Sequence, residues 1–335
     1  MSGQFLDLAV AYLWPRDSRV GSVTSCAGHV EGVGLPSGPP GPPSWTPSHR
    51  STLSTVLPLH PRGVAVHGIV ALQCEEETGV NETASHRSRE TGGAKSGASA
   101  AAVRSHYDIG NEFYRLLLDD SMTYSCAIWE NGAETLESAQ DRKLEYHIRS
   151  ARAAGKPNVL DIGCGWGSLL KKLVNQHGCH RAVGLTLSEA QAEWVDRMRL
   201  PHVDVLVESW EDHSPHDAYD AIVSIAATAH FLRPDNSEAE RIAVLRRFFS
   251  RCHEWLKGGG FLSLESIVYG TGHYTAQSPL SGVFPESDMP RLHELATGFD
   301  GLFEPESIVS HRHHYPPTLR CWLENLSRHR DDAVR

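Results

Sequence analysis

Residues 159–167 carry residue types that are typical of a loop that binds a cofactor. Two apolar residues lead into the stretch Asp161-Ile162-Gly163-Cys164-Gly165-Trp166-Gly167, and the apolar spacing of a helix follows directly over 168–173. A strand, a tight turn and a helix in this order let a ligand approach glycine backbone where no Cβ is in the way. The helix that begins there adds free backbone N–H groups. The pattern therefore predicts that a cofactor lies across this loop.

The spacing of the glycines distinguishes two kinds of cofactor. A dinucleotide site has the pattern G-x-G-x-x-G and an acidic residue about 20 residues further on. Here Ser168 stands three residues after Gly165, and the apolar run 183–185 leads into Thr186 rather than Asp or Glu. The loop therefore favours an S-adenosylmethionine (SAM) methyltransferase over an NAD enzyme. A purely structural turn between a strand and a helix stays the alternative, because glycine turns recur across α/β folds.

Composition limits the class of protein and its partners. The 335 residues leave room for one large domain or two small ones, and the net charge of −10 argues against a nucleic-acid partner. Seven scattered cysteines without a C-x-x-C pair are typical of reduced thiols in the cytoplasm. No apolar stretch approaches the ~20 residues of a membrane helix, so we expect no stable membrane insertion. We expect no metal site, because His311-Arg312-His313-His314 lacks the spacing of a four-ligand zinc site. Whether the chain forms a homo-oligomer stays open.

Residues 1–98 differ in composition from the rest of the chain. The segment 35–44 is dominated by proline and glycine, which disfavour helices and sheet ladders, and 83–99 offers almost nothing to bury. We therefore expect a long disordered extension over 1–98, followed by an ordered domain over 101–335. One hypothesis is that the start of the gene is placed too early and that translation begins nearer Val80.

Downstream, short apolar runs alternate with helical patterns. The expected strands are 159–161, 183–185, 203–207, 221–225 and 260–268, and the expected helices are 109–118, 135–154, 188–199 and 238–256. This alternation predicts a parallel sheet in a doubly wound α/β fold. Ligands of such folds bind outside the carboxyl ends of the strands. The residues that fall there are Asp161, Thr186, Trp210, His230 and Glu265.

Six motifs in order resemble those of the cyclopropane fatty acid synthase and mycolic acid cyclopropane synthase family of SAM-dependent methyltransferases. They are His106-Tyr107-Asp108, Tyr124-Ser125-Cys126-Ala127, 161–167, Leu185-Thr186-Leu187-Ser188 with Gln191, Trp210-Glu211 and Tyr315-Pro316-Pro317-Thr318-Leu319. The resemblance covers about 103–326 and implies a Rossmann-like class I methyltransferase fold with an N-terminal helical cap. It implies SAM as the cofactor. Plant N-methyltransferases of alkaloid pathways resemble the same family, so the methyl acceptor stays open.

The resemblance also implies which residues hold SAM. Asp161 ends the first strand, and Gly163 and Gly165 would lie beneath the methionine portion of SAM, with Tyr124 and Ser125 closing over it. Thr186 and Gln191 would lie beside the ribose and adenosine. Trp210 and Glu211 would lie beside the adenine. Carbonyls and aromatic faces suit a sulfonium cation, and adenine suits an apolar slot with a few polar contacts.

Catalysis in the family joins the methyl group to an alkene carbon, after which a base removes a proton and closes a cyclopropane. Cyclopropane synthases hold bicarbonate there with a Cys, a Glu-His pair, a second His and a Tyr. Cys126, His230 and Tyr315 match this set, but Ala229 replaces the Glu and Glu265 replaces the second His. Our hypothesis is that Glu265 stands in for bicarbonate as a built-in base or cation stabiliser, tuned by His230. Whether bicarbonate binds stays open.

Two further departures concern the acceptor and the end of the chain. The segment 269–281 is short and polar where the family covers an acyl chain, which favours a small or carrier-bound acceptor. The family continues beyond the position of Arg335 with a helix and a last strand, so we expect an unpaired sheet edge, a partner over it, or a truncated domain. Three functions stay open: methyl transfer to an alkene carbon of a lipid or specialised metabolite, small-molecule N-methylation, and SAM binding by a degenerate enzyme.

Overall fold

The computed structural model describes residues 65–74, 97–107, 110–270 and 286–333. All of them belong to the larger of two compact units of the chain, and the smaller unit, Pro15–Pro61, lies outside the described residues. In the described ranges, no helix combines the length and the apolar character that crossing a bilayer requires.

Strands and helices alternate along the described chain. The strands are β1 (Ala65–Cys74), β2 (Val159–Ile162), β3 (Ala182–Thr186), β4 (Val203–Val207), β5 (Tyr219–Ile225), β6 (Leu256–Tyr269) and β7 (Phe303–Ser310). The helices are α1 (Ala100–Tyr107), α2 (Asn111–Leu117), α3 (Leu136–Ser150), α4 (Ser168–Gln176), α5 (Glu189–Arg197), α6 (Glu238–Trp255), α7 (Leu292–Phe299), α8 (Tyr315–Arg328) and α9 (Arg330–Ala333). Helix starts follow local capping: Thr135 caps α3, Ser188 caps α5, and Ser237 forms a capping box with Glu240 at α6.

The seven strands of the described chain form one sheet in the order β4-β3-β2-β5-β6-β1-β7. Neighbours from β4 to β6 are parallel, whereas β1 is antiparallel to both β6 and β7. Alternate residues of β2 face opposite layers. Leu160 packs in a core with α6 and α7, and Val159 packs in a second core with α3 and α4. The doubly wound α/β fold expected from the sequence is confirmed.

Strand β1 corrects the prediction of disorder over 1–98. Residues 65–74 pair along both edges, and Ile69, Val70 and Leu72 are buried. The prediction is wrong for this segment because it was based on the composition of the whole region, which is dominated by Pro-rich and Ser/Gly-rich stretches. The backbone groups of 65–74 are instead satisfied by the two flanking strands. The remainder of 1–96 lies outside the described residues. A chain that started near Val80 would lack β1.

The same strand corrects the expectation of an open edge beside β6. Strand β6 pairs with β5 on one side and with β1 on the other, so a segment from near the N-terminus occupies that place. Within the described sheet, the outer strands are β4 and β7.

Candidate functional site

A cavity lies at the carboxyl ends of β2, β3 and β5, where doubly wound folds bind their ligands. Nine residues named in the sequence analysis line it together with their neighbours. They are Tyr124, Ser125, Asp161, Gly163, Gly165, Thr186, Gln191, Trp210 and His230. The other four named residues are not among the described lining residues. They are Cys126, Glu211, Glu265 and Tyr315.

Two glycines shape the floor of the cavity. Gly163 and Gly165 adopt left-handed backbone conformations with φ of 81° and 54°, which disfavour any residue with a Cβ. A Cβ at Gly163 would lie 2.6 Å from the Cβ of Ala227, so this glycine allows the loop to pack against the turn after β5. A Cβ at Gly165 would meet no described atom within 4 Å. Because Gly165 lines the cavity, the missing side chain leaves that space for a ligand.

Asp161 offers a buried carboxyl group to the cavity. Burial raises the pKa of Asp161 from 3.8 to about 7, and the charge of Lys143 opposes this rise. Its Oδ1 atom has no hydrogen-bond partner within the described ranges. Because a buried polar atom without a partner is costly, this oxygen fits a ligand that donates an N–H or O–H group, as the amino group or ribose of SAM would.

Thr186 and Gln191 are fixed to each other at the end of β3. The Thr186 hydroxyl donates to Gln191 Oε1 at 2.7 Å and accepts from the backbone N–H of Ser188 at 3.1 Å. Ser188 also caps α5, so the position of both side chains is set by the start of that helix. The pair therefore presents pre-oriented polar groups to the cavity, which suits the hydroxyls of a ribose.

Trp210 forms an apolar wall of the cavity, and a carboxylate close to it in sequence also lines the cavity. The indole packs 5.4 Å from the ring of Phe231, measured between centroids, and suits a flat base such as adenine. Glu211 Oε1 lies 3.5 Å from Arg247 Nη2 and does not line the described cavity. The carboxylate that lines it is Glu208, since the chain turns between these residues.

Aromatic rings surround the cavity on the side of the helical cap. Tyr107 lies with its ring centroid 6.3 Å from that of Tyr124 and 6.1 Å from that of Trp166, and all three line the cavity. Tyr114 packs behind them, 4.6 Å from Trp166. Ring faces attract a cation, so this wall suits a sulfonium or another positive centre.

His230 lines the cavity beside this wall and is held from two sides. Its Nε2 is hydrogen-bonded to Tyr107 Oη, and its Nδ1 to Ser287 Oγ, both at 3.1 Å. Burial lowers the pKa of His230 from 6.5 to about 4. The ring is therefore neutral at pH 7 and has one nitrogen that can accept a proton.

Glu265 lies in a buried polar cluster beneath the cavity rather than on its surface. Its Oε2 is 3.2 Å from His147 Nε2, and His147 Nδ1 is 2.9 Å from Ser263 Oγ. Both Glu265 and His147 are 0% exposed. Lys143, also fully buried, donates to the hydroxyl of Ser125, and these two residues do line the cavity. Burial lowers the pKa of Lys143, and the charge of Glu265 opposes this.

Cys126 lies near this cluster, and neither Cys126 nor Tyr315 is among the described residues that line the cavity. The Cys126 thiol is fully buried, and burial together with the charge of Glu265 raises its pKa, so it is a poor nucleophile. Tyr315 is the first residue of α8 and is partly exposed. The same helix holds the loop after Cys126, because Thr318 Oγ1 accepts from the backbone N–H of Ala127 at 3.1 Å.

Several residues of the site were given no role from the sequence. Among them are Tyr107, Lys143, His147, Glu208 and Ser287. Tyr107 belongs to a motif that was recognised without a role for the tyrosine. The spacing of Lys143 and His147 on α3 was a usable signal, because two polar residues four apart face the same side of a helix as apolar Leu136 and Leu144. Nothing local marks Ser287.

A family model described as mycolic acid cyclopropane synthetase matches residues 94–335. Cyclopropane mycolic acid synthase 2 of Mycobacterium leprae (strain TN) is 32% identical over 257 residues, covering 70% of this chain and 82% of that protein. Cyclopropane mycolic acid synthase 3 of Mycobacterium tuberculosis (strain ATCC 25618 / H37Rv) is 32% identical over 255 residues, covering 69% of this chain and 84% of that protein.

Solved structures give the same picture. Mycolic acid cyclopropane synthase CmaA1 complexed with SAH and CTAB has a TM-score of 0.63 and 29% identity, covering 71% of this chain and 86% of that chain. Coclaurine N-methyltransferase bound to N-methylheliamine and SAH has a TM-score of 0.59 and 24% identity, covering 71% of this chain and 69% of that chain. The second likeness shows the fold alone. SAH is what SAM becomes once its methyl group has been transferred.

Proposed function

The chain belongs to the mycolic acid cyclopropane synthetase family and is a SAM-dependent methyltransferase, and from this premise we propose that it methylates an electron-rich alkene carbon of a lipid or specialised metabolite. The observation that carries the proposal is the position of His230, which lines the cavity beside the ring of Tyr107 and is hydrogen-bonded at both ring nitrogens. Burial lowers the pKa of this histidine to about 4, which keeps the ring neutral at pH 7. The names of the relatives, which are cyclopropane mycolic acid synthases, support an unsaturated acyl lipid as the acceptor class.

We propose that the cofactor lies across the glycine loop. Gly163 and Gly165 would pass beneath the methionine portion, Tyr124 and Ser125 would lie over it, and Asp161 would accept from its amino group. Thr186 and Gln191 would hold the ribose, and Trp210 the adenine. Glu211, which the resemblance also assigns to the adenine, would act from outside the cavity, with Glu208 nearer to the base. When bound, SAM supplies an electrophilic methyl group on a sulfonium.

The aromatic wall would stabilise the positive charge that passes from the sulfonium to the acceptor. Tyr107, Tyr124 and Trp166 place ring faces and edges around the cavity, and a face turned to a desolvated cation contributes about 2 kcal/mol or more. The rings also exclude water, which would otherwise capture a carbocation. Alignment and exclusion of water are what methyl transfer requires of the protein.

His230 is the residue we propose as the final acceptor of the proton. Its unprotonated nitrogen accepts a hydrogen bond from the hydroxyl of Tyr107 or Ser287, so the proton would reach that hydroxyl oxygen while the hydroxyl passes its own hydrogen to the ring. A carbocation is so acidic that even a base with a pKa of about 4 can take its proton. Glu265 is buried away from the cavity, so we propose that it acts as a stabilising charge through Lys143 instead of taking the proton itself. Cys126 and Tyr315 would support the loop that covers this cluster.

N-methylation is the second candidate function, and Glu265 is the observation in its favour, because similar N-methyltransferases carry a carboxylate at this place. An alkylamine has a pKa of about 10 and must lose a proton before it can attack. A base with a pKa of about 4 is poorly matched to that task at pH 7. His230 therefore favours the alkene acceptor.

The test is incorporation of label from SAM with a deuterated methyl group into lipid and small-molecule extracts, followed by mass spectrometry. We expect label in unsaturated lipids or unsaturated metabolites, with one deuterium lost where a ring closes and all retained where only a methyl group is added. Label in amines alone would support N-methylation. SAH binding by calorimetry without any labelled product would leave only SAM binding.

A further inference from the structure

Helix α3 carries a polar stripe on the side that faces the core. Gln140, Lys143 and His147 are spaced by three and four residues, so they lie on one face of the helix. All three are 0% exposed. Burying polar and charged side chains is costly unless each one is hydrogen-bonded or paired, so such a stripe requires specific partners.

The first half of the stripe holds the loop over the cavity. Gln140 Nε2 donates to the carbonyl oxygens of Thr123 at 3.2 Å and Ser125 at 2.9 Å. One turn later, Lys143 Nζ donates to the hydroxyl of Ser125. Tyr124 therefore sits between two anchored residues, and its ring lies on the cavity.

The second half of the stripe holds strand β6. His147 Nε2 lies 3.2 Å from Glu265 Oε2, and its Nδ1 lies 2.9 Å from Ser263 Oγ. An ionised carboxylate only accepts hydrogen bonds, so Nε2 carries a proton and donates it to Glu265. In the neutral ring, Nδ1 then accepts from the Ser263 hydroxyl. Both ring nitrogens are satisfied, and the orientation of the imidazole is fixed.

Charge explains why this carboxylate needs orientation. Glu265 is fully buried on β6, between Ile69 of β1 and Ile225 of β5 in the strand registers. Lys143, which lines the cavity, is a buried cation that interacts electrostatically with Glu265 and, more weakly, with Asp119 and Asp161. Buried charges of opposite sign are favourable together only if hydrogen bonds fix their geometry.

We propose that His147 is a positioning residue for the methyl-transfer reaction, which holds Glu265 as the counter-charge of Lys143 beneath the cavity. This inference rests on the proposed function for its kinetic consequence. Glu265 adds to the negative charges of Asp119 and Asp161 around Lys143, so the positive charge that Lys143 presents to a sulfonium or a carbocation is reduced. Without the imidazole, Glu265 can turn away from Lys143, and the transition state then meets more of that positive charge.

The kinetic test compares His147→Gln with His147→Leu. The glutamine amide can donate near the position of Nε2, whereas leucine fills the space without donating. We expect His147→Leu to lower kcat for transfer to the identified acceptor about 10- to 100-fold, the range for losing a hydrogen bond to a charged group, with the KM for SAM changed much less. His147→Gln should recover most of kcat. If the kcat of both His147→Leu and His147→Gln lies within twofold of the wild-type value, the proposal is overturned.

Two controls separate positioning from folding. His253 lies on α6 against Phe303, outside the cavity, so His253→Leu should leave kcat unchanged. Combining His147→Leu with Glu265→Gln should cost no more than the larger single loss, because both changes remove the same interaction. Fully additive losses would overturn the proposal.

A spectroscopic readout tests the pairing without any acceptor. Nuclear magnetic resonance of 15N-labelled histidine rings should show one buried ring with its proton on Nε2, assigned by its loss in His147→Gln. Its Nε2 signal should shift in Glu265→Gln. A proton on Nδ1 alone would refute the pairing, and so would an Nε2 signal that is unchanged in Glu265→Gln. If the wild type transfers no methyl group at all, the proposed function fails while this readout still decides the pairing.

Discussion

Ile69 of β1 lies opposite Glu265 of β6 in their antiparallel register, so a segment far upstream in the sequence backs a buried carboxylate of the site. The same strand pairs with β7 on its other edge. The sheet beneath the cavity is thus completed by residues whose neighbours in sequence are unlike any strand. This relationship gives the N-terminal region a structural role.

Removing β1 should therefore destabilise the protein. Ile69, Val70 and Leu72 are at most 3% exposed, and each large apolar side chain contributes about 1.5–3 kcal/mol on burial. Their sum is comparable to the whole stability of a domain, about 5–15 kcal/mol. We expect a chain that begins at Val80 to unfold at a much lower temperature or to aggregate, measured by thermal unfolding. The matched control begins at Pro61 and keeps β1; equal melting temperatures for the two chains would contradict the role of the strand.

Gly165 and Gly155 form a matched pair for testing the cofactor site. Both have left-handed φ angles, 54° and 69°, and a Cβ at either one meets no described atom within 4 Å. Each change to alanine therefore costs about 1–2 kcal/mol in backbone strain. Only Gly165 lines the cavity. We expect Gly165→Ala to weaken SAH binding about tenfold or more by calorimetry, since 1.4 kcal/mol is a factor of ten. Gly155→Ala should bind SAH normally, and a similar loss in both variants would point to stability alone.

Asp161 should make stability depend on pH. Its folded-state pKa is about 7, above the usual value of 3.8, so the folded protein keeps a proton that the unfolded chain releases. The stabilisation is complete below about pH 4 and is lost as the pH rises through about 7. As the pH rises from about 4 to about 7, the melting temperature of the cofactor-free wild type should therefore fall relative to that of Asp161→Asn. A difference between the two proteins that is the same at every pH would show that the carboxyl titrates normally.

His230 should stay neutral throughout the neutral range. Its pKa of about 4 lies below the usual 6.5 because the ring is buried. The ring signals in nuclear magnetic resonance should be constant above about pH 5.5, where an ordinary histidine is still titrating. Ser287→Ala removes the partner of Nδ1 and should move these signals at constant pH. A midpoint near 6.5 would remove the physical basis for preferring an alkene over an amine.

Local patterns were sufficient for the parts of the fold that local forces control. The turn of 163–167 was predictable because glycine is required where φ is positive, and Asp161 at the end of an apolar run marks a strand that enters a ligand site. The helices expected from 135 and from 188 begin one residue later, at Leu136 and Glu189, because the side chains of Thr135 and Ser188 cap them. Strand β4 has the bounds expected from its apolar run. From these elements and six motifs, the family and the cofactor followed as well.

Only the tertiary structure decided which side chains meet. His147 reaches Glu265 across 118 positions of sequence, and His230 reaches Ser287 across 57, through the packing of α3 and of the segment before α7 on the sheet. The insertion of β1 between β6 and β7 depends on pairing with strands that lie far along the chain, since Ala65 pairs with Tyr269 and Gly68 pairs with Ser310. Burial of Glu265 also follows from packing, and it is the reason why we propose a stabilising charge rather than a base at this position. Residue types and spacing specify what each segment can form, whereas the free energy of burying polar groups specifies which partners they must find.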